Sequence, residues 1–409
     1  MGKSKLFYGY IVVIAGFLIQ VLGFGIYSAF GVFFTPLLDE FGWSRATISG
    51  AASLLMVLWG LSNVIVGGLN DRFGPKITTL AFGVTWGLGY LLLSQVNAVW
   101  QLYLFYGILV GMGIGFIDVL PLTLVARWFV SRRGMMTGVV KTGAGLGIFL
   151  FPLIAAGLIS NYGWRASFLI VGGIALVFAL VVAQFLKRDP GQVALKAHGE
   201  NEMEPDSLRL QASGVPFKEA LRVKQFWMLC IVYLFAIFCG DAVIIHIVPF
   251  TVDLGIPQAS AAGALAAFGA VSIAGRFVMG SAADRVGSRI PLIISFTILV
   301  IGLIWLQFAG ELWMVYLFAA VYGFGQGGLY TVMSPWVAEL FGLNSHGAIF
   351  GAVGLIGSVG GAMGPFLFGY FFDVTGSYRV ALIIGAALCL SAIVLSLFVR
   401  PIARAKTIT

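Results

Sequence analysis

The sequence predicts an all-α membrane protein of twelve transmembrane helices, arranged as two pseudo-symmetric six-helix bundles. Three observations carry that prediction. Of 409 residues, 60% are hydrophobic and only 10% charged, where a soluble domain carries about 25% charged residues. The apolar residues gather in about twelve spans of roughly 20 residues, the length that crosses a bilayer as a helix. Sliding the chain by 213 positions brings Asp71-Arg72 onto Asp284-Arg285, Gly74 onto Gly287, Pro36 onto Pro249, Pro152 onto Pro365 and Gly163 onto Gly376. A membrane β-barrel would show alternating segments of about 10 residues instead.

The spans run, to within a few residues, at about 8–36, 47–69, 77–96, 100–128, 134–159 and 165–186, then 226–251, 258–282, 290–309, 312–340, 346–372 and 379–399. The basic start and the first span together resemble a signal peptide, but the run is too long and no small-residue cleavage site comes after it. It reads as the first membrane helix, and Leu6 breaks a myristoylation pattern. The polar break 187–224, which opens "KRDPGQVALKAHGENEMEPDSLRLQASG", divides the chain into an N-terminal bundle (1–186), a cytoplasmic linker (187–224) and a C-terminal bundle (225–409). At the end of the break, "VPFKEALRVKQFW" predicts a short surface helix leading into the seventh span. Six helices per half keep the two copies in one orientation, which makes the repeat a parallel one about the membrane normal.

Lysine and arginine set the orientation. Lys3, Lys5, Arg72, Lys76, Arg132, Arg133, Arg285, Arg289, Arg400, Arg404 and Lys406 fall with the linker on one side, against Arg45, Arg165 and Arg379 on the other. The positive-inside rule puts both termini in the cytoplasm of a cell, or inner, membrane. The net charge of +8 is explained by these loops and calls for no nucleic-acid partner. The three cysteines, Cys230, Cys239 and Cys389, lie in spans without a CxxC pair and imply neither disulfide nor metal. The glycine strings "GILVGMGIG" and "KTGAGLGIF" lie inside spans and read as close helix packing, not nucleotide loops. No nucleophile elbow, P-loop or zinc ligand set is present, so the reading is neither an enzyme nor a cofactor protein.

Ionisable residues within the spans are the functional signal, because each costs at least about 2.5–3.5 kcal/mol at mid-bilayer. They are Asp118, Lys141, Asp241, His246 and Arg276. Helical rise puts Asp118 and Lys141 roughly 20 and 15 Å from the loop that joins their helices, near enough for an internal ion pair. Asp241 and His246 share a helix but, five residues apart, do not share a face. Arg276 sits roughly 12 Å inside the Asp284 loop, and its repeat partner is Asn63, so the first half has no equivalent cation. A guanidinium stays charged and suits a carboxylate bidentately. Tyr27, Ser28, Asn63, Gln326, Tyr330 and Tyr370 are polar candidates for lining the same cavity.

"GGLNDRFGPK" (67–76) and "GSAADRVGSR" (280–289) share G-x-x-x-D-R-x-G-x-K/R and resemble the signature loop of the major facilitator superfamily. Asp71, Arg72, Asp284 and Arg285 then form a conformational latch, a carboxylate at a helix end meeting a neighbouring helix N-terminus or arginine. "ARWFVSRRGMMTGVVKTGAGLG" (126–147), "NYGWRASFLIVGGIAL" (161–176) and "AGRFVMG" (274–280) resemble the monocarboxylate porter family and its bacterial branch similar to oxalate/formate antiporters. That resemblance implies that Arg276 pairs with a substrate carboxylate. Animal members carry an aspartate one turn earlier and a lysine in helix one, where this chain has Ser272 and Ser28. The family's proton relay therefore needs another carrier, with Asp241, His246, Asp118 and Lys141 available and Asp241 opposite Ser28 in the repeat. Oxalate exchangers add a lysine in helix eleven, which this chain lacks after His346. The expectation is a proton-coupled symporter of lactate- or pyruvate-like monocarboxylates, monomeric, with rocking halves. The alternatives are carboxylate exchange and, less favoured, a non-transporting carboxylate sensor.

Overall fold

The computed structural model describes residues 7–129, 133–188, 214–342 and 345–399, with the side chains of 71, 126 and 133–135 excepted. The helices are α1 (Tyr8–Phe41), α2 (Arg45–Phe73) and α3 (Pro75–Leu93), followed by α4 (99–128), whose Tyr103–Val110 stretch is π-helical. Next come α5 (133–162) and α6 (164–182), two parts of one helical run broken at Gly163. The second half holds α7 (Lys224–Asp253), α8 (Gln258–Val286), α9 (Arg289–Leu306), α10 (Leu312–Phe341), α11 (His346–Thr375) and α12 (Arg379–Phe398).

Eleven described helical segments are long and apolar enough to cross a membrane, and one of them, Met136–Val182, has 47 residues. At about 1.5 Å per residue such a segment is roughly twice the bilayer core in length. Gly163, at φ 74° and ψ 164°, turns the chain back and makes it two crossings, so the spans number twelve. The expected linker falls mostly at 189–213, outside the described residues. The expected surface helix is one turn, Phe217–Ala220, tied to the α10–α11 junction by Val215 N–H on Phe341 O at 2.8 Å and Phe217 N–H on Ser345 Oγ at 3.2 Å.

The helix ends follow from local chemistry. Ser44 caps α2 by accepting from Thr47 N–H, and Pro75 opens α3 at its first turn, where no amide is needed. The sequence repeat is also a repeat of backbone. Gly74 (φ 82°, ψ 168°) and Gly287 (φ 79°, ψ 160°) end α2 and α8 in the same conformation, one open essentially only to glycine. The hydroxyls of Tyr103 and Tyr316 lie where a Cβ would stand on Gly50 and Gly263, again 213 positions apart.

In lipid the hydrophobic effect does not drive helices together, so close packing of small residues does. Between the halves, α2 packs on α11 and α5 on α8. The α2–α11 seam runs from Gly369 against Arg45, through Gly361 near Met56, to Ser358 against Gly60. The next small residues along it, Gly354 and Gly351, face open space. Among the described residues, the α2–α11 contacts therefore close the Arg45 face and thin out beyond Ser358, toward the face where α1 begins and α12 ends.

Candidate functional site

At the shut face, Asp373 of α11 accepts from the first two amides of α2, Arg45 N–H at 3.0 Å and Ala46 N–H at 2.7 Å. A carboxylate there completes the unpaired donors and positive end of the helix. The Arg45 guanidinium reaches Asp253 Oδ1 at 2.6 Å and the Tyr378 hydroxyl at 2.6 Å, and lies 3.9 Å from the Phe372 ring centre. Tyr378 then meets His246 Nδ1 at 3.0 Å, while His246 Nε2 lies 2.8 Å from the Pro365 carbonyl and 3.1 Å from Ser49 Oγ. The carbonyl only accepts, so Nε2 carries the ring proton; Tyr378, accepting from Arg45, donates to Nδ1. Gln258 Nε2 adds a bond to Val32 O at 2.6 Å. Hydrogen bonds between described groups of the two halves concentrate here, and Arg276 makes another elsewhere.

This relocates His246. The sequence makes it a candidate proton carrier, but its ring is bonded at both nitrogens inside the closed face, away from the centre. Arg45, Asp253, Asp373 and Tyr378 were missed by sequence reasoning. Their signal was available: Arg45 is one of few cations expected on its side, and both aspartates end spans there.

Deeper in, Asp241 of α7 is 4% exposed, with Oδ2 lacking any hydrogen-bond partner. Tyr27 of α1 adjoins it across the halves, with its hydroxyl buried. Gly361 makes room for the carboxylate, since a Cβ there would stand 2.6 Å from Oδ2. Gln326 ties α10 to α7 through the Ala236 carbonyl at 3.2 Å and leaves its own Oε1 unpaired. Tyr330 is a charge neighbour of both Asp241 and Arg276 and so links the two.

Arg276 of α8 lies against α5 of the other half. Its Nη1 donates to the Lys141 carbonyl at 3.2 Å, its Cζ is 5.9 Å from the Tyr330 ring centre, and its Nε is buried without a partner. No carboxylate pairs with it among the described residues. Lys141 Nζ instead binds Asp118 Oδ1 at 2.8 Å, the ion pair expected from helical rise. Asn63, the repeat partner of Arg276, has its Oδ1 buried and unpaired.

Two other expectations are corrected. Tyr370 is 47% exposed and its described ring contacts are Phe366 and Phe371 of its own helix, so it looks outward, not into the centre. Ser28 is fully buried and donates its hydroxyl proton to Gly25 O at 2.9 Å, so it is not offering that donor to an anionic ligand. The latch also differs in its chemistry. Asp284, Arg285 and Arg72 are exposed, and the Asp71 side chain lies outside the described residues. The carboxylate at the start of α9 belongs to Glu339 of α10, which accepts from Ser288 N–H at 3.0 Å and Ser288 Oγ–H at 2.7 Å.

A helical bundle with a charged, partly unpaired centre between two repeated halves defines a membrane transporter. The major facilitator superfamily model matches residues 16–281 and again 240–409, and the chain belongs to that superfamily. It is a transporter and not an enzyme. Monocarboxylate transporter 13 of Rattus norvegicus is 28% identical over 386 residues, covering 94% of this chain and 87% of that one. Monocarboxylate transporter 2 of Homo sapiens is 25% identical, covering 91% and 81%. The uncharacterized MFS-type transporter YhjX of Escherichia coli (strain K12) is 30% identical over 316 residues, 75% of each chain. Among solved structures, a bacterial homolog to the human lysosomal transporter Spinster, inward-facing and occupied, matches with TM-score 0.76 over 97% of both chains at 17% identity, a likeness of fold.

Proposed function

We propose that the chain carries small monocarboxylates, lactate- or pyruvate-like, together with a proton, by rocking of the halves 1–186 and 225–409 about the centre. The observation that carries this reading is Arg276: a guanidinium between the halves, with no carboxylate of its own and one N–H group unpaired. A single carboxylate satisfies such a fork, and a buried cation without one is costly. The monocarboxylate transporters among the relatives support the substrate class.

Asp241 is the proposed proton carrier. With Asp118 on Lys141, the central charges reduce to Arg276 and Asp241. Empty, with Asp241 ionised, the two balance. Loaded with an anion, balance requires a proton on Asp241. The anion alone leaves a net negative centre, which opposes closure around it. Tyr330, whose ring centre is 5.9 Å from Arg276 Cζ, stands near both groups. The excess of lysine and arginine at the open face makes that face cytoplasmic, so the conformation is inward-open. The membrane would be a cell inner membrane.

Exchange has one observation in its favour. Ser272, one turn before Arg276, spends its hydroxyl on Gly269 O at 2.7 Å and supplies no acid. Uptake of labelled lactate into proteoliposomes separates the two. Symport gives uptake driven by an inward proton gradient and abolished by a protonophore. Uptake indifferent to the gradient and dependent on trans substrate contradicts it.

A further inference from the structure

We propose that Asp118 sets the charge selectivity of the anion site: by holding the Lys141 ammonium it leaves Arg276 as the one cation between the halves that lacks a carboxylate among the described residues, and restricts the site to one carboxylate. This rests on reading Arg276 as the substrate anchor.

The two cations are neighbours by construction, because Arg276 Nη1 donates to the backbone carbonyl of Lys141 itself, at 3.2 Å. The Lys141 ammonium turns instead to Asp118 Oδ1 at 2.8 Å. Gln20 fixes that carboxylate from the far side, with Nε2 on Ile117 O at 2.8 Å and on Asp118 Oδ1 at 3.4 Å. The pair is not sealed inside the first half. Its side chains keep 36% and 26% of their surface, and Asp118 is a charge neighbour of Arg276 and Tyr233, both in the second half. It therefore looks into the space where Arg276 waits.

A lysine stem is flexible and its ammonium is a point charge with three donors. Released from Asp118, it swings to a second carboxylate on a ligand already held by Arg276. With Asp118 in place, that second carboxylate meets no free cation and the Asp118 anion repels it. The same logic runs in reverse: without Lys141, Asp118 becomes an internal competitor for Arg276.

The test measures inhibition of labelled-lactate uptake by unlabelled lactate and by malonate in proteoliposomes. Wild type should reject malonate. Asp118→Asn should lower the malonate-to-lactate ratio of inhibition constants at least about tenfold, the scale of one desolvated charge contact. Lys141→Gln should weaken lactate by about tenfold, and Asp118→Asn/Lys141→Gln should recover most of that loss and reject malonate again. A helix-joining pair alone predicts a fall in melting temperature in the single variants, relieved in the double variant, with no change in the malonate-to-lactate ratio. An unchanged ratio in Asp118→Asn, or wild-type lactate affinity in Lys141→Gln, overturns the proposal. If Asp118→Asn does not fold, the lactate inhibition constants of Lys141→Gln and the double variant, compared only where both keep the wild-type melting temperature, decide: no recovery overturns the proposal. Arg276→Ala, assayed alongside, separates the layers: uptake surviving that change removes the anchor and this inference with it, whereas an inactive Arg276→Ala with an unchanged Asp118→Asn ratio removes this inference alone.

Discussion

Asp241 and Arg276 are each expensive in a membrane, and among the described residues each is left without a salt-bridge partner of its own. That pairing of unmet needs is what a carrier of an anion and a proton requires at its centre. Asp241→Asn fixes a neutral group where the proton should come and go. We expect it to lose gradient-driven net uptake while keeping exchange of labelled for unlabelled lactate, because the loaded form still balances and the empty form does not. Loss of both, in a folded protein, would argue that Asp241 is structural. Gly361→Ala should act on the same carboxylate without touching its charge, since the added methyl would stand 2.6 Å from Oδ2. Its expected effect is a several-fold slower net uptake, with the melting temperature recorded to separate packing from proton handling. The ionisable residues themselves were legible in the sequence by cost alone. Their facing was not: Tyr370 and Tyr330 both lie on apolar helices, and only packing tells that one looks outward and the other toward Arg276.

Helices are joined here in two ways, by fixed turns within a half and by breakable contacts between halves. The turn after α8 depends on Gly287 at φ 79° and ψ 160°. Gly287→Ala should lower stability by about 1–3 kcal/mol, the cost of that backbone region for other residues, seen as a drop in melting temperature. The contact between α2 and the second half depends on Arg45. On α2 the residues Arg45, Ser49, Ala52 and Met56 follow helical spacing and form a stripe, with Arg45, Ser49 and Met56 each touching the second half. Arg45→Ala removes the bonds to Asp253 and Tyr378 and frees the His246 relay. Opening of that face should then rise by about tenfold for each 1.4 kcal/mol lost. A cysteine at buried Ala52, labelled by an impermeant maleimide, reports it. An unchanged labelling rate would mean that Arg45 does not hold this face shut. Within a half, the chain's order signals its own partners, as the Asp118–Lys141 pair did through helical rise and the paired turns did through the repeat. The Arg45 partners lie 208 and 333 residues away, and no local pattern points to them.

At the scale of the whole molecule, the two halves are copies in backbone and unlike in charge. The turns at Gly74 and Gly287 and the glycine–tyrosine contacts recur in both halves, the symmetry that the proposed rocking requires. The difference at one repeat position, Asn63 in the first half and Arg276 in the second, puts the proposed anion anchor on one side of the pseudo-symmetry only. Architecture was readable from composition, span length and the 213-residue repeat, because each is written along the chain. Conformation was not, because it depends on which contacts between halves are made, and those are shut at the Arg45 face and open beyond Ser358. In the proposed cycle, anion transport depends on Arg276. The direct measurement is labelled-lactate uptake by wild type, Arg276→Lys and Arg276→Ala in proteoliposomes under an inward proton gradient, each variant first checked as a folded protein by its melting curve. We expect no uptake above empty liposomes for Arg276→Ala and at best a small residue for Arg276→Lys, which keeps the charge but not the fork. Wild-type uptake by a folded Arg276→Ala would contradict the role given to this guanidinium.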